Sequence, residues 1–218
     1  MTTVLFVHGL ESGPRGKKAL ALEAAGFTVV SGQMPCGQRA VLRDPAVIAF
    51  AVLALTASIY AISQGPVAIV IAGISFFLSL RFVRPLLMRR ILKRSVVVQR
   101  VLLSANAIDV VAGSSFGGAV ALELIRLGAW KGPTVLMCPA HQLVAGRAWT
   151  KVPSLPADAS HVVVVHGSKD ETVPLAHSRE LVRGTAAKFI EVEDDHRLTT
   201  TANAENFALW VKLALREQ

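Results

Sequence analysis

Residues 108–127 read IDVVAGSSFGGAVALELIRL: an apolar β-rich run, a turn bounded by glycines, and a helical stretch. The turn, Gly113-Ser114-Ser115-Phe116-Gly117, is G-x-S-x-G in a strand–turn–helix setting. A serine on so sharp a turn is forced into strained backbone angles, and side chains two positions to either side would collide. Glycine at 113 and at 117 removes that collision. Short apolar runs recur outward from this point, at 3–7 (TVLFV), 27–31 (FTVVS), 134–138 (TVLMC), 161–165 (HVVVV) and 188–192 (KFIEV), with 108–112 as the third in order. They are near-continuous rather than alternating, as expected of strands covered on both faces in a parallel sheet. Helical patterns lie near 15–25, 95–105, 117–128, 175–184 and 203–216, the last with Phe207, Trp210, Val211 and Leu215 at helical spacing. The alternation predicts an α/β layered fold of about six mostly parallel strands, with helices on both faces and right-handed crossovers. Pro153 and Pro156 mark a loop rather than a domain boundary.

The composition narrows the class. At 52% hydrophobic and 17% charged, the chain is too apolar for disorder. Two cysteines, Cys36 and Cys138, exclude a disulfide-stapled scaffold and lack metal-ligand spacing, which fits a reducing compartment. The net charge of +8 raises nucleic acid as a partner, but its distribution argues otherwise. Seven basic residues (Arg81, Arg84, Arg89, Arg90, Lys93, Arg94, Arg100) fall within twenty positions, leaving 16 basic against 15 acidic residues elsewhere. No nucleic-acid partner is expected.

That basic run trails an uncharged insert. Residues 45–63 read PAVIAFAVLALTASIYAIS, followed by Gln64-Gly65-Pro66 and then VAIVIAGISFFLSL to Leu80. As a helix the first run would be about 28 Å long, close to a hydrocarbon core of about 30 Å. Gly65-Pro66 is a turn signal. Basic residues flank the pair (Arg39 and Arg43 before, the run from Arg81 after) and none sits at the turn, so both ends are expected inside and the turn outside. The chain thus divides into a discontinuous α/β domain, 1–44 and 95–218, and an inserted hydrophobic helical hairpin with its basic trailing segment, 45–94. A lid or a monotopic insertion is the alternative. Met1-Thr2-Thr3 leads straight into the first strand without a basic n-region, so no signal peptide is expected. The expected location is a bacterial-type inner membrane, with the α/β domain on its cytoplasmic side.

In such sheets function collects at the carboxyl ends of the strands. A serine needs a base, and the base needs an orienting group. His166-Gly167-Ser168-Lys169-Asp170 follows the fifth strand and Glu193-Asp194-Asp195-His196 the sixth. The order Ser115, Asp170, His196 suits a nucleophile, an orienting acid and a general base. Glu171 and Asp194 are the alternative acids. His8-Gly9-Leu10 follows the first strand, so the Leu10 and Phe116 N–H groups are candidates for an oxyanion hole. His8 and His166 read as structural, hydrogen-bonding strand ends, and His141, His161 and His177 carry no assigned role. Cys138 reads as a small buried thiol with no base placed for it. No metal and no organic cofactor are implied.

MTTVLFVHGLESGPRGKKA, VVAGSSFGGAVAL and the late Asp170 and His196 resemble the small bacterial YqiA-like esterases of the α/β-hydrolase superfamily. The resemblance covers about 2–38 and 105–218, through the elbow and a His-Gly-x-x-Ser-x-Pro-Arg motif. It implies a minimal α/β-hydrolase fold that begins directly at the His-Gly strand, and serine hydrolysis of esters or thioesters (EC 3.1) through Ser115, Asp170 and His196. Two features depart from the family: the apolar insert, and a histidine set in Asp-Asp-His-Arg rather than Gly-x-His-x-Phe. Small lipophilic acyl esters or thioesters are the expected substrates and membrane lipid the expected partner. The small residues of the hairpin would allow packing between copies. The rival readings are a soluble lipase-like esterase with the insert as lid and a catalytically silent membrane scaffold.

Overall fold

Val4 and Phe6 face one side of the first strand and Leu5 and Val7 the other, and all four are buried. The same two-sided burial holds for the inner strands at 110–114, 134–137 and 162–167, whereas the edge strands at 28–30 and 188–192 are only partly buried. The computed structural model of the chain describes residues 1–10 and 12–215. Its six strands are β1 (Thr3–Val7), β2 (Thr28–Val30), β3 (Val110–Ser114), β4 (Thr134–Met137), β5 (Val162–Gly167) and β6 (Lys188–Val192). They form one parallel sheet in the order β2-β1-β3-β4-β5-β6. The helices are α1 (Lys17–Ala24), α2 (Gln38–Leu42), α3 (Pro45–Gln64), α4 (Pro66–Ala105), α5 (Phe116–Arg126), α6 (His141–Ala148), α7 (Leu175–Val182) and α8 (Ala204–Leu215). α1 and α8 cover one face, with Leu22, Phe207 and Trp210 buried against it. α5, α6, α7 and the inner end of α4 cover the other. Glu11, the expected end of the last helix at Arg216, and residues 217 and 218 of the expected α/β domain lie outside the described residues, as does the side chain of the flanking Arg39.

Three local expectations shift. β3 starts two residues later than its apolar run, because Asp109 is tied to Thr3: its N–H donates to the Thr3 carbonyl at 2.9 Å and its carboxylate accepts the Thr3 N–H at 2.7 Å. The strand therefore runs through Gly113 and Ser114, paired with Leu136 and Met137. β5 extends through His166 and Gly167 because Glu191 and Val192 pair with them. α6 has no counterpart in the sequence reading. HQLVAGRA is short, contains a glycine and has no strong apolar face; burial of Val144, Ala145 and Ala148, with the helix packed on α4 and α5, holds it.

The insert is a hairpin whose second arm is rooted in the core. Asp44 caps α3, accepting the Ala46 N–H at 2.9 Å, with Pro45 at the first helical position. The reversal takes the single residue Gly65, at φ 97°, a conformation that favours glycine. α4 then runs for 40 residues, roughly 60 Å at 1.5 Å each, with Pro85 inside it. The separate helix expected at 95–105 is its inner end, since no glycine interrupts 81–105 and propagation is cheap once a helix has started. Position 94 thus lies within one continuous helix. Ile91, Leu92 and Val96 are buried in the core, whereas Val67 and Phe77 are 72% and 76% exposed. α3 lies along the outer part of α4, with Phe50 and Phe76 stacked at 5.8 Å. At the base Arg90 and Arg94 reach the buried Asp44 carboxylate at 3.2 and 2.6 Å. α3 and α4 are each long and apolar enough to cross a membrane.

Candidate active site

Ser115 follows β3 directly and precedes α5, at φ 55° and ψ −116°. A side chain in that region is strained, and the surrounding hydrogen bonds hold it there. The Ser115 N–H donates to the Met137 carbonyl at 2.9 Å, and the Ser115 carbonyl accepts N–H groups from Gly118, Ala119 and Ala140. The glycines are demanded by close approach. A Cβ at Gly113 would stand 2.7 Å from the Gly117 carbonyl oxygen, and one at Gly117 would collide with the Val7 and His8 carbonyls.

The structure brings Ser115, His196 and Asp170 into one hydrogen-bonded line. His196 Nε2 lies 2.9 Å from Ser115 Oγ, and His196 Nδ1 lies 2.7 Å from Asp170 Oδ2. Since the carboxylate can only accept, Nδ1 carries the hydrogen and Nε2 is left to accept from the serine hydroxyl. Asp170 Oδ1 accepts the Thr172 and Val173 N–H groups, both at 2.8 Å. Burial pushes the Asp170 pKa upward, but hydrogen bonds from His166, His196 and the Val173 N–H outweigh it and hold the carboxyl well below the ordinary range.

Asp194, the alternative acid, is turned into its own loop. It accepts N–H groups from Asp195, Thr200 and Thr201 and the Thr201 hydroxyl, all at 2.8–2.9 Å. Burial opposes ionisation, yet these bonds bring its pKa down to about 2. Its contribution is to shape the segment that presents His196. That segment packs on the end of β5, where a Cβ at Gly167 would meet the carbonyls of Asp194 and Asp195. Glu171 is exposed, and Glu193 pairs with Lys169 at the surface.

The oxyanion candidates sit beside the serine in backbone terms. A Cβ at Gly9 would be 3.4 Å from Ser115 Cβ, so the chain entering Leu10 passes against the nucleophile position. Phe116 opens α5, where N–H groups have no intrahelical acceptor. His8 is fully buried and spends its ring on the backbone, its Nδ1–H donating to the Gly9 carbonyl at 2.8 Å and its Nε2 accepting the Met34 N–H at 3.4 Å.

Two further residues complete the site: His166, which the sequence marked as structural, and Lys18, which it did not mark. His166 shares the acid: its Nε2–H lies 3.1 Å from Asp170 Oδ2 and 3.0 Å from the Val173 carbonyl, while its Nδ1 accepts from the Ser178 hydroxyl at 2.7 Å. Lys18, one turn before the buried Leu22 on α1, donates to Ser114 Oγ at 2.8 Å. Burial lowers its pKa, offset in part by Cys138, Asp195, Asp170 and Asp194. The only signal in the sequence was a lysine on the apolar stripe of the first helix. Cys138 is buried and its thiol is pushed up to about 12, chiefly by burial and further by Asp170. Cys138, His166 and Asp170 hold ligand-type atoms within 4.8 Å of one another. A cation there would need a thiolate and would have to displace His196 from Asp170, so the set does not suit a metal.

Solved structures share this architecture. A Xanthomonas campestris pv. campestris protein of the alpha/beta hydrolase superfamily superposes with a TM-score of 0.55, over 97% of this chain and 99% of its own, at 22% identity. An Agrobacterium vitis S4 protein assigned to the hydrolases gives 0.57, over 98% of this chain and 88% of its own, at 16% identity. Est1E from Butyrivibrio proteoclasticus gives 0.51, over 99% and 88%, at 12% identity. No family model and no curated protein matches the sequence. The likeness is therefore one of fold: the chain has an α/β-hydrolase fold of six parallel strands, carrying two long apolar helices between β2 and β3.

Proposed function

We propose that the protein is a serine hydrolase of acyl esters or thioesters, anchored by α3 and α4 in a membrane with its catalytic domain on the cytoplasmic side. The observation that carries the chemistry is the Ser115–His196–Asp170 line at the carboxyl end of the sheet. Ser115 Oγ attacks the acyl carbonyl while His196 Nε2 takes its proton, and Asp170 stabilises the resulting imidazolium. The Leu10 and Phe116 N–H groups receive the developing oxyanion. His196 then protonates the leaving alcohol or thiol, and water, deprotonated by the same nitrogen, resolves the acyl-enzyme.

The anchor is supported by the outward apolar faces of the hairpin, where Leu53, Val67 and Phe77 are each more than two-thirds exposed. Continuous apolar surface of this kind belongs in a bilayer or an interface rather than in water. Arg43 before α3 and the basic run from Arg81 support an inside location for both ends. An active site tethered at the bilayer surface suits lipophilic acyl chains, and the small residues of the hairpin suit packing between copies.

A fluorophosphonate probe should label the wild type and not Ser115→Ala. The substitution should also reduce ester hydrolysis to the level set by binding and the oxyanion donors, roughly 10³–10⁴ above water. Retained labelling or wild-type turnover in Ser115→Ala overturns the nucleophile. Recovery of the full-length protein as a soluble monomer without detergent overturns the anchor.

A further inference from the structure

At the base of the hairpin a cleft of about 610 Å³ is lined by α3 and α4. Its wall is apolar, built from Val47 and Phe50 of α3 and Val83 and Leu86 of α4. Its mouth is cationic: Arg89, Arg90, Lys93 and Arg94 line the end nearer the catalytic domain. Arg90 and Arg94 share the Asp44 carboxylate, so four cations face one buried anion. Arg89 and Lys93 are one turn apart and exposed. The cleft is therefore amphiphilic along the helix axis, with the cations on the α/β-domain side and the apolar wall continuous with the uncharged segment 45–80.

We propose that this cleft binds a single anionic phospholipid. Its phosphodiester would lie among Arg89, Lys93 and the free edges of Arg90 and Arg94, with one acyl chain against Phe50, Val83 and Leu86. The proposal rests on the bilayer reading of α3 and α4. Charge complementarity selects the occupant. A zwitterionic headgroup returns a positive charge to a mouth that already has a surplus, whereas an anionic one does not. Guanidinium forks match a phosphate with paired N–H donors. The apolar wall requires a chain, which a free anion lacks. The position fits as well, since the mouth falls where the cytoplasmic leaflet presents anionic headgroups.

The test is native mass spectrometry of the full-length protein in detergent, titrated with phosphatidylglycerol or with phosphatidylcholine. Each exposed cation near an anionic headgroup is worth about fivefold in affinity, so Arg89→Gln with Lys93→Gln should weaken phosphatidylglycerol binding roughly 25-fold. Val47→Trp, which fills the apolar half without changing charge, should weaken it by a comparable factor. Arg81→Gln with Arg84→Gln removes two cations outside the cleft and should change it by less than about threefold. All variants are compared at unchanged melting temperature. Equal losses in the Arg81/Arg84 and Arg89/Lys93 pairs would mean a diffuse surface effect and overturn the site. So would displacement of the lipid by inorganic phosphate alone, or equal affinity for the two lipids. Protein that resists alkaline-carbonate extraction from membranes yet shows no lipid preference overturns this proposal alone; protein that is soluble without detergent overturns the anchor and this proposal together.

Discussion

Asp170→Asn isolates what the acid does, because every lone pair of the carboxylate is engaged. Oδ1 accepts the Thr172 and Val173 N–H groups, and Oδ2 faces His196 Nδ1 and His166 Nε2. Asparagine offers one oxygen and one NH₂. If the oxygen keeps the two backbone N–H groups, the NH₂ meets two ring nitrogens that both carry hydrogen in the wild type. His196 must then change tautomer, placing its hydrogen on Nε2, where it points at Ser115 Oγ and the general base is lost. His166 must turn as well, and the Val173 carbonyl loses its donor. If instead the oxygen faces the rings, the loop loses two bonds. The first arrangement keeps the fold and removes the base, so kcat on an activated acyl ester should fall by about 10⁴, roughly 5 kcal/mol of activation free energy, with little change in KM. Steady-state kinetics of the purified variant, with its melting curve, provide the measurement. A well-folded Asp170→Asn enzyme within about tenfold of wild type would refute the tautomer argument. If Asp194→Asn were the damaging change instead, the acid would belong to the His196 loop.

His166→Gln should lower kcat by about tenfold and destabilise the fold by about 1–3 kcal/mol, because it leaves buried partners at Asp170, Val173 and Ser178 imperfectly matched. Kinetics and thermal melting would show both, and unchanged kcat would make the residue purely structural. Asp170 and Asp194 both have folded-state pKa values below their unfolded ones. The stability they contribute is therefore present above about pH 4 and lost as pH falls through the folded values, about 2 for Asp194. Asp194→Asn should accordingly flatten the acid limb of a melting-temperature profile between about pH 4 and 2, and an unchanged limb would contradict the assignment. Leu53→Arg, near the middle of α3, should cost roughly 2.5–3.5 kcal/mol of membrane insertion, measured as the inserted fraction in a translocon assay; full insertion would argue against a spanning helix.

How much of this was legible in the chain depended on the range of the forces involved. Parallel strands declare themselves because burial on both faces requires apolar residues in succession, and the elbow because its serine and both flanking glycines fall within five residues. Strand ends were displaced by pairing with distant partners: Asp109 tied to Thr3, and Glu191 and Val192 drawing β5 on through Gly167. α6 was invisible because packing rather than its own pattern stabilises it, and the inner end of α4 read as a separate helix because Ile91, Leu92 and Val96 pack into a core built by other segments.

The sequence alone determined the residue types and their order: a serine between glycines, then an acid, then a histidine, and an uncharged stretch flanked by arginine. It left Asp170, Glu171 and Asp194 open, since one-dimensional order does not say which way a carboxylate turns. Tertiary structure decided that. The β5 and β6 loops converge so that Asp170 comes within 2.7 Å of His196, while Asp194 closes hydrogen bonds within its own turn. Tertiary structure alone also placed His166 on the same carboxylate oxygen, Lys18 on Ser114 and Asp44 between Arg90 and Arg94. Hydrogen bonds act over about 3 Å, and most of the partners they join here are remote in the chain, so only the folded backbone brings them into reach.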